Sequence, residues 1–481
     1  MLKKAEVDAL RAGSWRIDCP RIELSRSTES SPSTLTGSGE LFQDKRGRIA
    51  LKAYFCSDEN LSSLVWDYWK IPAGKIIPED QYWNLEATDL KGRLWTSRRF
   101  RVDFNTGQWV FNTGQQGAVA RATLFEIVYV EELPRSFRSS INLSVFDRVS
   151  IPCNASSKVS KSTAGRKTLI SSSRDAWKFR ILGIDFILRR EENETLYIHC
   201  SSSKPLPLRL RERLLEALHL VLGRPLDWTI CSQVEGNRVK TTLRSQPNRP
   251  ARARHQPPLP SHAITWPPQE RRVTCRFHRS LIERYLRHTI ESPEERHPLW
   301  SQLSAVWEGS AGEFIDSQAL TLCVVIEATL ALEYPDLGRP SKRIREEIKK
   351  LRKLLEKYQD PLGIRPRIDS LLSMLKQTGA SDRLRALIER KAITEEQAKA
   401  WRYLRNASTH AYQSRTDPDR RREALLKCEV LFYHLVFAAI GYKGPYIDFT
   451  ETGWPLTFYP PSESSSGLQD GKEPADGRLT M

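Results

Sequence analysis

The sequence predicts an α+β multidomain chain: a β-rich, antiparallel sandwich-like N-terminal half followed by an all-α helical bundle. Three observations carry that prediction. Apolar and polar residues alternate through the first half, as in GELFQDKRGRIALKAYF. Apolar residues recur at spacings of three and four through the second, as in DSQALTLCVVIEATLALEY. Between them, from Gln246 to Gln269, lies a stretch too rich in proline and arginine for regular structure over its length. At 481 residues the chain exceeds one ordinary core. The expected divisions are a β-rich domain over 1–150, an α+β continuation over 151–245, a basic linker over 246–270, the helical bundle over 271–450 and a disordered tail over 455–481.

Each element has its own signal. GELFQDKRGRIALKAYF reads as a β-hairpin about a Lys-Arg-Gly turn, and RLWTSRRFRVDFNTGQWVFNTG as another, turning at Asn105-Thr106-Gly107. Its aromatics Trp95, Phe100, Phe104, Trp109 and Phe111 suit a half-buried sheet, in a sandwich or a barrel. Trp66, Trp69 and Trp83 read as core; a carbohydrate-binding face would rest on composition alone. NASSKVSKSTAGRKTLISSSRD is expected as a flexible loop, followed by strands at WKFRILGIDFILRR and TLYIHCSS, a helix at LRLRERLLEALHLVLG and a strand at LDWTICSQV. Helices then run from about Thr274 onward. SKRIREEIKKLRKLLEKYQ sets Ile344, Ile348, Leu351 and Leu355 on one stripe with charged residues opposite, Thr394 followed by Glu396 and Gln397 marks a helix start, and Asp417-Pro418 marks a break before the last long helix. Short connections between these helices favour an antiparallel bundle.

Composition narrows the function. The net charge of +17 draws the chain toward polyanions, of which nucleic acid is the commonest. The eight cysteines are scattered without a C-x-x-C pair, which argues against a zinc ribbon and for reduced thiols. MLKKAEVDALRAG lacks the apolar run of a secretory signal, and ALTLCVVIEATLAL, the nearest approach to a membrane span, is interrupted by Glu327. A cytoplasmic protein is expected.

One stretch stands out chemically. YLRNASTHAYQ places Arg405, Asn406 and His410 close together on a bundle helix, with Tyr412 just beyond and small residues between. The spacing alone carries little, since an arginine followed by a histidine after about four to six residues also occurs at Arg213/His219, Arg249/His255 and Arg272/His278. On a helix Asn406 and His410 share a face, whereas Arg405 and His410 diverge by about 140°. One helix therefore cannot clamp a phosphate with both, and a second copy across a twofold axis would supply the missing side.

R-N-x-x-x-H-x-Y near the end of a helical bundle resembles the HEPN superfamily of prokaryotic ribonucleases and toxins. The β-rich N-terminal half and the C-terminal GYKGPYIDFTETGW resemble the ApeA-type HEPN proteins of anti-phage defence. The resemblance implies a HEPN-type bundle and a metal-independent endoribonuclease acting as an abortive-infection toxin. It places the family's arginine and histidine on Arg405 and His410, its polar residue on Asn406, and a tyrosine open to regulatory nucleotidyl transfer on Tyr412. The expected partners are an RNA substrate, at least one further copy of this chain, and a phage trigger or antitoxin. No cofactor, metal or membrane is expected.

The chemistry suits these residues. RNA carries its own nucleophile in the 2′-hydroxyl, so the protein need only move protons and stabilise charge. Histidine can accept a proton from that hydroxyl or donate one to the departing 5′-oxygen. Arginine holds the phosphate oxygens as negative charge grows, and Asn406 can hydrogen-bond phosphate or orient His410. A plainer reading has His410 capping a helix end, Arg405 paired with a glutamate such as Glu396 or Glu429, and Tyr412 as a core aromatic. His434, on an apolar stretch, reads as a core histidine, and the Lys/Arg run of SKRIREEIKKLRKLLEK as a solvated face. The alternative function is a non-catalytic nucleotide- or RNA-binding module whose N-terminal domain recruits a protein.

Overall fold

The Lys45–Arg46–Gly47 turn folds as its residues require. Asp44 Oδ1 accepts from the backbone N–H groups of Arg46 and Arg48, at 2.9 and 2.8 Å, and Gly47 takes a φ of +76°. It joins β2 (Ser33–Gln43) to β3 (Ile49–Ser57), a predicted hairpin. The structure is a computed structural model. It describes residues 2–26, 33–57, 75–105, 116–146, 149, 151, 155–163, 166–190, 195–223, 226–245, 259, 268–310, 314–357, 363–376, 378–409 and 417–461. The chain divides into two units, Met1–Leu208 with Leu226–Ala251 and Arg209–Pro225 with Arg252–Met481.

The first unit holds an antiparallel sheet of thirteen described strands. β1 (Arg16–Arg26) pairs with β2 and with β4 (Trp83–Thr88); β4 pairs with β5 (Leu94–Phe100), and β5 with β8 (Glu126–Val145). On the other side β3 pairs with β7 (Gln116–Leu124), which also takes β6 (Asp103–Asn105). Only Phe125 separates β7 from β8, so the path of strands returns on itself. These strands surround one apolar cluster that includes Ile22, Leu24, Leu51, Trp83, Trp95 and Tyr129. The antiparallel β-rich half therefore forms as the alternation predicted, with its apolar faces turned onto this cluster.

β8 then continues into the rest of the sheet. Its second half pairs with β12 (Leu196–Ser202), followed by β11 (Ile184–Arg190), β10 (Arg166–Ile181) and β9 (Ala155–Thr163). Its opposite edge carries β13 (Trp228–Arg244), whose register shifts about Gly236, a residue with φ +61° that a side chain would strain. The expected loop at 154–175 is instead largely β9 and the start of β10. Serine and lysine do not stop a strand that has a backbone ladder to join, and lysines suit an edge. The turn and second strand of the hairpin expected at Asn105-Thr106-Gly107 lie outside the described residues, Trp109 and Phe111 with them. Trp83 is buried as expected, whereas Trp66 and Trp69 lie outside the described residues.

The second unit is helical. α1 (Lys4–Ala12) belongs to the first unit; the next helix, α2 (Leu210–Leu222), belongs to this one and packs on α3 (Pro268–Thr289). The sequence placed α2 in the α+β continuation. It buries Leu210, Arg213, Leu214, Glu216, Leu218 and His219, and a helix buried nearly all round requires neighbours on several sides. α4 (Pro298–Ser310) packs on α5 (Ile315–Glu333). α6 (Lys342–Glu356) pairs with α7 (Arg365–Lys376), followed by α8 (Ala380–Glu389), α9 (Glu395–Thr409) and α10 (Pro418–Ile440). α5 is long and apolar enough to cross a membrane, yet it buries Leu322, Cys323, Ile326 and Leu330 and contacts α4, α9 and α10.

Two expectations for this unit change. Of the predicted α6 stripe only Ile348 is buried; Ile344 and Leu351 are exposed and Leu355 is half-buried. The tail expected from 455 begins with order, since β15 (Leu456–Tyr459) pairs with β14 (Gly444–Ile447) and buries Tyr459. Residues 246–258 of the expected linker and 462–481 of the expected tail lie outside the described residues.

Candidate functional site

α9 begins where its residues dictate. Thr394 and Gln397 form a reciprocal cap: the Thr394 N–H donates to Gln397 Oε1 at 3.0 Å and the Gln397 N–H to Thr394 Oγ1 at 3.3 Å. From there Trp401, Leu404 and Ala407 turn inward while Arg405 and Asn406 face solvent. α9 packs against α5, α8 and α10.

Arg405 Nε donates to Glu327 Oε1 on α5 at 2.6 Å, with both side chains partly in solvent, 47% and 39% exposed. Its guanidinium also lies 5.9 Å from the Trp401 ring centroid. This partner, Glu327 on the helix beside α9, is one that the sequence did not offer. His410 and Tyr412 lie outside the described residues. The structure thus brings together Arg405 and Asn406 as neighbours on an exposed helix face, with Glu327 added. The competing pair Arg213/His219 differs in burial: Arg213 is fully buried, and His219 accepts from Trp300 Nε1 at 2.9 Å.

Two features of the surroundings escaped the sequence. Arg420 at the start of α10 lies over the Tyr403 ring at 4.8 Å, which sets the Arg420–Arg421–Arg422 run beside the last turns of α9. Arg421 of that run pairs with Asp316 at 2.6 Å. On α5, Leu320 and Val324 are exposed, and they precede Glu327 at helical spacing on one side of the helix.

Behind this surface the bundle holds titratable groups shifted by burial. His434 on α10 is fully buried, meets Gln397 Nε2 through Nδ1 at 3.2 Å, and lies against the Tyr446 and Tyr459 rings at 4.7 and 4.9 Å. Burial pushes its imidazole down to about 3, so it is a neutral core residue, as the sequence indicated. Burial likewise raises the Glu429 carboxyl to about 7.

A second constellation lies where α2 meets the end of α3, the start of α4 and the end of α5. Arg213 and Glu216 form a buried ion pair at 2.8 Å. Arg213 donates to the carbonyls of Thr289 at 3.0 Å and Glu294 at 2.6 Å, while Glu216 accepts from Tyr285 Oη at 3.2 Å and from the His297 N–H at 3.1 Å. This clamp fixes the α3–α4 connection. At its edge His288 Nε2 meets Glu333 Oε2 at 2.8 Å, and the ligand atoms of His288, His297 and Glu333 all lie within 4.8 Å of one another. Sequence reading missed this group because its members come from three separate elements.

No family model, no curated protein and no solved structure matches the chain.

Proposed function

We propose that this chain is a metal-independent HEPN-type endoribonuclease, a cytoplasmic anti-phage toxin that cuts RNA at a site shared by two protomers. The supporting observation is the exposure of Arg405: where Arg213 of the competing motif is buried, Arg405 keeps its guanidinium half in solvent with Asn406 beside it. The nearby Arg420–Arg422 run adds positive charge for a phosphodiester backbone. Leu320 and Val324 give a second protomer apolar surface to cover next to Arg405.

In the reaction one His410 removes the proton from the 2′-hydroxyl, whose oxygen attacks the adjacent phosphorus. The bond from phosphorus to the 5′-oxygen breaks as the partner's His410 protonates that oxygen, leaving a 2′,3′-cyclic phosphate. Arg405, released from Glu327, holds the non-bridging oxygens as their charge rises.

A cleavage assay on total tRNA and on DNA of equal length, with chelator present, tests this reading. Wild type should cut RNA alone to cyclic-phosphate ends, while Arg405→Ala and His410→Ala should abolish cutting and leave the circular dichroism spectrum unchanged. Cutting at the wild-type rate by His410→Ala would remove the assignment. The Arg405–Glu327 pair favours a second reading, a non-catalytic RNA- or nucleotide-binding module whose β-rich half recruits a protein, because a resting ion pair suits a phosphate-docking surface without any chemistry. That module would give salt-sensitive RNA binding and no product at any incubation time.

A further inference from the structure

The geometry points to a divalent transition-metal site formed by His288, His297 and Glu333, separate from Arg405. Two imidazoles and one carboxylate are the donor set that Zn²⁺ takes at three protein positions with water in the fourth, whereas Mg²⁺ and Ca²⁺ prefer oxygen throughout. Their ligand atoms converge within 4.8 Å. Zinc–ligand bonds of about 2.0–2.2 Å set tetrahedral donor atoms about 3.4 Å apart. The group must therefore contract by roughly one ångström, a change that side-chain torsions supply.

The framework for that contraction is already in place. His288 stands in the last turn of α3, His297 immediately precedes α4, and Glu333 ends α5. The backbone of His297 is bonded to buried Glu216, and the α3–α4 connection is clamped by buried Arg213. Held in this way, the three positions are oriented before any ion arrives. Two of the ligands sit at helix C-termini, where the helix dipole makes the potential favourable to a cation. The site also remains open: the His288 side chain is 28% exposed, while that of Glu333 is 7% exposed.

In the resting chain the contact between His288 Nε2 and Glu333 Oε2 stands where the ion would bind. His297 Nδ1 accepts from the Leu299 N–H at 3.2 Å, so ligation through Nε2 moves the ring proton to Nδ1 and gives up that contact. The bound ion would tie α3, the start of α4 and the end of α5 together. Its role would be structural, and its readout is ion uptake and melting temperature.

The test titrates Zn²⁺ into tag-free, full-length protein stripped of metal, by calorimetry and by thermal melting. Wild type should bind one ion per chain with a rise in melting temperature; Glu333→Gln and His288→Ala should each bind at least roughly tenfold more weakly. If either variant fails to fold, the Co²⁺ form of wild type decides: intense visible bands of low-coordinate nitrogen and oxygen ligation support the site. The proposal is overturned if wild type takes up no stoichiometric ion, if folded variants bind as wild type does, or if bound Co²⁺ shows only the weak bands of an octahedral aqua-type ion.

Discussion

Arg405 rests on Glu327, and a pair this exposed contributes only about 0–1 kcal/mol to stability. The contact therefore holds the guanidinium in position without locking it. On the proposed function Glu327 competes with phosphate for Arg405. Glu327→Ala should tighten binding to a non-cleavable RNA severalfold, measured by fluorescence anisotropy at fixed salt, and should change stability by no more than about 1 kcal/mol. Weaker binding would mean that Glu327 positions Arg405 for the phosphate. At this scale the sequence showed that Arg405 and Asn406 lie on a bundle helix, but it offered Glu396 and Glu429 as partners. Spacing along the chain finds neighbours within one helix and, for Glu429, the next one. Glu327 is 78 residues away and is placed by packing, as are His288 and Glu333, 45 residues apart.

At the scale of elements, strand and helix signals were legible wherever a pattern had a buried face to report. The Thr394–Gln397 cap and the Asp417–Pro418 helix start both form, with Asp417 Oδ1 accepting from the Asp419 N–H at 3.0 Å. Elements defined by a partner's backbone were not legible, which is why β9 read as loop and β15 as tail. β15 has only four residues, yet its Tyr459 ring lies 5.5 Å from Phe437 and 4.9 Å from His434. Chains ending after residue 461 should therefore melt as the full protein does. Ending the chain at Trp454 removes a buried aromatic and uncovers His434, and should cost about 3–5 kcal/mol by denaturant unfolding. Equal stability of the two truncations would show that β15 carries none of the core.

For the molecule as a whole, stability should depend on pH through buried groups that oppose each other. Burial raises Glu429 from 4.5 to about 7, so its contribution is complete below pH 4.5 and is lost as pH rises to 7. His434 is lowered from 6.5 to about 3, so its contribution is complete above pH 6.5 and is lost as pH falls toward 3. Between pH 4.5 and 6.5 the two slopes cancel. Glu429→Gln should therefore stabilise the protein by about 2 kcal/mol at pH 8 and by little at pH 4, read from urea melts at both values. Equal effects at the two values would place the Glu429 carboxylate in a polar setting. The two-part α+β organisation was legible at this scale because periodicity changes from two to near four along the chain. The order of strands in the sheet was not, since pairing partners such as β3 with β7 are set by packing and not by periodicity.

The α6–α7 pair leaves Ile344, Leu351, Leu354, Leu371, Met374 and Leu375 in water, among the many lysines and arginines of the same two helices. Oily and cationic groups respond to ionic conditions in opposite directions. Simple salts screen the cations and loosen their hold on a polyanion. Sulfate, excluded from apolar surface, drives the leucines toward any cover on offer. A sulfate salt should therefore weaken any attraction to a polyanion while promoting association through these leucines.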